Sequence, residues 1–195
     1  MAVGSVKGSV LESVVADVVR LLEEGRLSRA ELNRRLPRDD VAFLDSTIMP
    51  SLWYPLDAYA RLVDVLVRED GGDAVDYLVR RGRRTAERLY KAGLYRQLDA
   101  TLERWGETFG ALMETLGVAM FHGTHWTVTH VGKGANDGSF HIEVLVPENF
   151  PECARWSSQG FIEYLGGRAQ GGEAAVRCTS SRPEPTVVVF DTIPI

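Results

Sequence analysis

In the first 117 residues, apolar side chains recur every three or four positions, the spacing of one face of an amphipathic helix. Val10, Val14, Val15, Val18, Val19 and Leu22 form the first stripe, and Gly25 closes it. Ser28 to Glu31 has the form of a capping box, and the helix it opens should stop before Pro37. A short mixed segment, Asp39 to Ser46, leads to PSLWYPLDAYARL, Pro50 to Leu62. Pro55 suits the first turn of a helix, where a missing N–H costs little, and Trp53 and Tyr54 precede it where they can staple that turn. Leu56, Tyr59, Leu62, Val63 and Leu66 then share a face until Gly71 and Gly72. Another helix is expected from Asp73 to Ala92, with Val75, Leu78 and Leu89 inward, Gly82 marking close packing and Gly93 at the C-cap. Leu94 to Leu116 repeats the pattern, with Leu98, Leu102, Trp105, Phe109, Leu112 and Met113 inward.

At Gly117 the period changes to two. Trp126, Val128 and His130 alternate with His125, Thr127 and Thr129, as in a half-buried strand. Gly132 to Gly138, GKGANDG, reads as a hairpin tip. The return strand puts Phe140, Ile142, Val144 and Val146 on one face, His141 and Glu143 on the other. An amphipathic helix is expected from Pro151 to Leu165, ended by Gly166 and Gly167, then strands near Ala174–Ser180 and Thr186–Ile193. The chain therefore reads as one α+β domain over 1–195. A helical portion, 1–117, packs on an antiparallel sheet of about four strands with one inserted helix, 118–195.

Composition narrows the partners. The net charge is −5, which sets nucleic-acid binding aside. Two cysteines, Cys153 and Cys178, make no disulfide framework and read as a reduced pair. The N-terminal run is broken by Gly4, Lys7, Gly8 and Glu12, so it is no signal peptide, and no stretch approaches the roughly 20 apolar residues that cross a bilayer. A cytoplasmic protein without a transmembrane segment is expected.

Candidate chemistry is sparse. His125, His141 and Glu143 share one face of the expected hairpin and are the residues that would hold a metal ion, because neutral imidazole and carboxylate supply lone pairs. His130 points the other way, and an exposed polar sheet face is the plainer reading. There is no G-x-S-x-G elbow, Ser157 and Ser158 lie within an ordinary amphipathic helix, and Cys153 reads as a small apolar residue. GKGANDG lacks the G-K-[ST] ending of a phosphate loop and joins strand to strand. Arg80, Arg81, Arg83, Arg84 and Arg88 crowd one helix and suit phosphates, an acidic partner or an anionic surface. Asp73, Asp76 and Glu87 on that helix equally suit a solvated face.

VKGSVLES (6–13), PSLWYPLDAYARL (50–62) and GRRTAERLYKAGLYR (82–96) resemble a myxobacterial family of paralogous proteins of about this length. The C-terminal half, with CARWSSQGFIEYLGG between hairpins and then VRC and VVVF, resembles 4-vinyl-reductase-like domains, haem-based nitric oxide sensors and TRAPP subunits. That resemblance implies a module binding an apolar ligand or a protein partner between helices and sheet. Its zinc-bearing members use a helix Cys, then Glu-x-x-Cys and another Cys. Cys153 and Cys178 match by order, but Ala175 replaces the Glu and there is no third Cys. Its haem-bearing members use a helical His and a Y-x-S-x-R motif; here every His falls near a strand and the motif is missing.

The expected function is a non-catalytic binding or regulatory module without a cofactor. Trp53, Tyr54, Tyr59, Trp105, Phe109, Trp126, Trp156 and Phe161 are its candidate pocket lining, although aromatics dominate cores generally. The alternatives are a homodimeric interaction scaffold and a metal-dependent enzyme built on the His cluster.

Overall fold

The computed structural model describes residues 4–70, 72–91, 93, 105–132, 139–169 and 176–195, with backbone alone at 105–108 and 169. The side chain of Trp105, residues 94–104 of the expected Leu94–Leu116 helix with Leu98 and Leu102, the hairpin tip 133–138, and Gly71 and Ala175 lie outside the described residues.

Seven helices are described: α1 (Gly8–Glu23), α2 (Arg29–Arg35), α3 (Arg38–Ala42), α4 (Leu56–Asp70), α5 (Ala74–Lys91), α6 (Trp105–Met120) and α7 (Glu152–Ala169). A 3-10 turn, Phe43–Asp45, follows α3. Four longer strands, β4 (His125–His130), β5 (Phe140–Leu145), β6 (Val176–Glu184) and β7 (Val187–Pro194), form an antiparallel sheet in the order β4-β5-β7-β6. Helices on a four-stranded antiparallel sheet, with α7 inserted between its hairpins, are the expected α+β architecture. Val14, Val18, Leu62, Phe109, Ile142, Val188 and Phe190 belong to a continuous buried cluster that runs from helices to sheet.

Local rules account for most element ends. Ser28 Oγ accepts the Glu31 amide while the Glu31 carboxylate accepts the Ser28 amide, so the capping box is complete, and α2 ends before Pro37. Gly25, at φ +68°, turns the chain out of α1. The buried face of α4 includes Leu56, Tyr59, Leu62, Val63 and Leu66.

The first 117 residues are not helical throughout. β1 (Ser5–Lys7) pairs with β2 (Trp53–Pro55) and with β3 (Phe121–His122) in a small antiparallel sheet. Elements of two or three residues are too short to show a period, so the sequence pattern carries no sign of them. The correction changes the aromatic entrance. Pro55 closes β2 and α4 begins at Leu56, while Trp53 lies on the surface, with the Lys7 ammonium 4.5 Å from its ring centroid and the His122 ring beside it. Tyr54 packs edge-on against Phe43, and its hydroxyl accepts the Met49 amide. The same stretch caps α1: the Gly8 and Ser9 amides donate to the Leu52 and Pro50 carbonyls, at 2.8 and 3.2 Å.

Two expected glycine stops are not stops. α6 continues through Gly117 to Met120, because the Trp126 indole of β4 occupies the space a side chain there would fill. α7 continues through Gly166 and Gly167 to Ala169, with Gly166 against Val176 of β6. No described helix is long and apolar enough to cross a membrane.

Candidate functional site

The arginines of α5 separate by helical geometry into distinct jobs. Leu78, Gly82 and Ala86, four residues apart, form its buried face. Arg83 leaves that face toward α7 and donates from Nε and Nη2 to the buried Glu163 carboxylate, whose other oxygen accepts the Cys178 amide at 3.1 Å. Arg80 reaches Asp70 at 3.6 Å. Arg81, Arg84 and Arg88, at i, i+3 and i+7, look into a cleft of about 320 Å³ between α1, α4 and α5.

Leu21, Leu66 and Tyr77 give that cleft apolar surface; Asp17, Arg20, Arg26, Glu69 and Asp70 complete its polar wall. Its anchor is Arg81, whose side chain is only 12% exposed. Arg81 Nη1 donates to Asp17 and Nη2 to Ser13 Oγ. Burial works against the guanidinium charge, but the bonds to Asp17 outweigh it and the Arg81 pKa rises. Arg20 also pairs with Asp17, Arg35 pairs with Glu69, and Arg26 donates to the Glu69 carbonyl. Among the described residues, Arg84 and Arg88 are left without an acidic partner.

Behind Arg81 lies a small space of about 30 Å³, which shares Ser13, Arg81 and Thr85 with the cleft and reaches Tyr59, Ser157 and Phe161. It has the size for a single water. Burial raises the Tyr59 hydroxyl pKa well above its ordinary value.

The described aromatic candidates lie in several separate places. Tyr59 and Phe161 meet at the small interior space. Phe109 packs on Phe140 at 4.7 Å between centroids, Trp126 stacks on Phe190, and Trp156 lies against Arg155. Trp53 lies on the surface of β2, and Tyr54 packs partly buried against Phe43. The His set is likewise spread out. His125 and His141 do share the outer sheet face with Glu143, but His125 lies opposite Leu145 and His141 opposite Thr129. Four residues of strand separate the two imidazoles, about 13 Å at the rise of an extended chain. His141 Nδ1 instead meets Asp191 at 2.7 Å, and no metal-holding group of three His, Cys, Asp or Glu occurs among the described residues.

Sequence reasoning reached Arg81, Arg84 and Arg88 but missed Ser13, Asp17, Arg20, Arg26, Glu69 and Tyr77. Asp17, Arg20, Glu69 and Tyr77 lie on polar or half-buried faces of their helices, Ser13 lies within the buried face of α1, and Arg26 follows α1 in the turn to α2. Periodicity identifies a polar face without revealing which other helix lies across from it.

No protein-family model and no curated protein matches the chain. Solved structures do, and H-NOX domains are among them. A Tt H-NOX variant aligns over 96% of this chain and 94% of its own at 14% identity, with a TM-score of 0.61. An Fe(II) unliganded H-NOX variant from K. algicida covers 97% and 96% at 13% identity, also with a TM-score of 0.61. An oxygen-binding H-NOX domain related to soluble guanylate cyclases covers 96% and 94% at 12% identity, with a TM-score of 0.55. The fold is thus H-NOX-like over nearly the whole chain, whereas the sequence resemblance extended only over its C-terminal half.

The residues present do not fit a haem. His122 lies on β3, His125 and His130 on β4 and His141 on β5, so none is offered by a helix. The interior is also closed where α5 crosses α7. A methyl group at Gly82 would overlap the Ser157 carbonyl, and one at Gly160 would overlap the Val79 carbonyl. The two backbones touch, and the neighbouring interior space of about 30 Å³ is roughly a tenth of the smallest ordinary ligand site.

Proposed function

We propose that this chain is a non-catalytic regulatory binding module that uses an H-NOX-like fold without haem and takes a small ligand in the α1–α4–α5 cleft. The observation that carries this reading is the contrast between two spaces. Among the described residues, the space beside the α5–α7 crossing is about 30 Å³, while the cleft has about 320 Å³, within the range of small-molecule sites. Capture of an apolar ligand between helices and sheet would require those helices to part. A ligand in the cleft would instead act on the Arg81–Asp17 pair, and α5 would pass the change to α7 and the sheet, or to a second subunit.

Hemin titration and native mass spectrometry test the reading together. The expected result is no sharp Soret band and no stoichiometric haem on the purified protein, with any retained molecule of small mass. Stoichiometric haem bound by the folded chain would overturn it.

A second reading, a homodimeric scaffold, is favoured by Met49, Leu52 and Trp53. These are 49%, 54% and 39% exposed and lie close together in the chain beside the small sheet. Light scattering across a concentration series decides that point. A dimer that Leu52→Ser dissociates supports the scaffold, and a monomer throughout removes it.

A further inference from the structure

Building on the cleft as the ligand site, we infer that its ligand is a small phosphorylated molecule gripped by Arg84 and Arg88 above the fixed Arg81. The charge balance is the first argument. The whole chain carries 27 acidic residues against 22 Lys and Arg, yet the cleft is lined by five arginines, Arg20, Arg26, Arg81, Arg84 and Arg88, and only three acids. An acidic protein has concentrated positive charge in one concave place.

The second argument is which of those charges are already answered. Asp17 is engaged by Arg81 and Arg20, Glu69 by Arg35, and Asp70 by Arg80. The carboxylates are therefore committed, and the surplus sits on Arg84 and Arg88, which have no ion pair among the described residues. These two stand one helical turn apart on the same face, so their guanidinium forks can converge on one group. A planar fork with fixed donors matches the oxygens of a phosphoryl group, and two forks suit a dianion.

The third argument is the floor. Arg81 is held by Asp17 and Ser13, which set the place of its guanidinium at the bottom of the cleft. Leu21, Leu66 and Tyr77 supply apolar and aromatic surface for an organic body beside the phosphate. The volume of about 320 Å³ suits a small ester.

The test is calorimetric titration of the full chain at low ionic strength with inorganic phosphate, pyrophosphate and phenyl phosphate. Saturable one-to-one binding is expected, tighter for phenyl phosphate than for inorganic phosphate if the apolar floor takes the organic body. Arg84→Ala and Arg88→Ala should each weaken it about tenfold or more, as for loss of a charge-assisted hydrogen bond. Arg68→Ala, which removes an exposed arginine paired with Asp64 outside the cleft, should leave it unchanged. Absence of saturable binding, or equal losses in Arg68→Ala and the cleft variants, would overturn the inference. Amide chemical shifts separate this failure from failure of the cleft itself. If phenol perturbs the Ser13, Tyr77 and Thr85 amides while phosphates do not, the cleft stands and the phosphate falls. If neither perturbs them, both fall.

Discussion

Glu152 stands at the start of α7 between two guanidiniums, Arg155 beside it and Arg182 reaching across from β6 at 2.7 Å. Burial pushes its carboxyl pKa up, but the hydrogen bonds from both arginines outweigh that and hold it below its ordinary 4.5. A depressed pKa contributes stability that is present above the ordinary value and lost as pH falls through the folded one. Glu152→Gln should therefore cost about 0.5–1 kcal/mol at pH 7, modest because half the side chain faces solvent, and the gap to wild type should close in acid denaturation series below about pH 4. Cys153 shows the opposite displacement. Burial drives its thiol up to about 12 from an ordinary 9.0, so its thiolate fraction at pH 8 falls roughly a thousandfold. Alkylation by iodoacetamide at that pH should be slower by a comparable factor in the native protein than after unfolding in urea, followed by mass shift. The sequence reading of Cys153 as a small apolar residue agrees with this inertness. At this scale the sequence was legible where chemistry is local, as in the Ser28–Glu31 box. It was silent where a side chain finds a distant partner: Arg83 and Glu163, or Arg81 and Asp17, are joined only by how α5 lies on α7 and α1.

Among elements, the crossing of α5 over α7 is held by shape more than by charge. Gly82 was expected to mark close packing, and it does; its counterpart across the crossing is Gly160 of α7. Gly82→Ala or Gly160→Ala should lower stability by about 2 kcal/mol in urea denaturation, since overpacking against a backbone carbonyl exceeds the ~1 kcal/mol that alanine gains in a helix. Gly110→Ala is the informative contrast. A methyl there would meet Val128 at 3.6 Å, an ordinary contact, so the same substitution should leave stability unchanged or raise it by up to ~1 kcal/mol. The hairpin of β4 and β5 was legible to the face of each residue, because a period of two fixes inside and outside together. The ends of α6 and α7 were not. Glycine reads as a stop unless one knows that an indole or a valine from a strand lies against it.

Over the whole molecule, helix content, sheet size and the inserted helix followed from pattern, while the small sheet and the cleft did not. Pattern reports which residues are buried, but a cleft is made by how far apart three helices come to rest. The path of the chain is H-NOX-like while its four histidines stand on strands, in keeping with the rule that a fold does not carry its function with it. The small sheet has a further consequence, for synthesis. β1 is made first, yet one neighbour, β2, comes only at Trp53 and the other, β3, only at Phe121. Val6, fully buried opposite both Tyr54 and Phe121, can reach its final place only when the middle of the chain has left the ribosome. Such distant pairing makes its closure a late step, so nascent chains that stop short of Phe121 should remain protease-sensitive at their N-terminus, and those extended past His122 should become resistant.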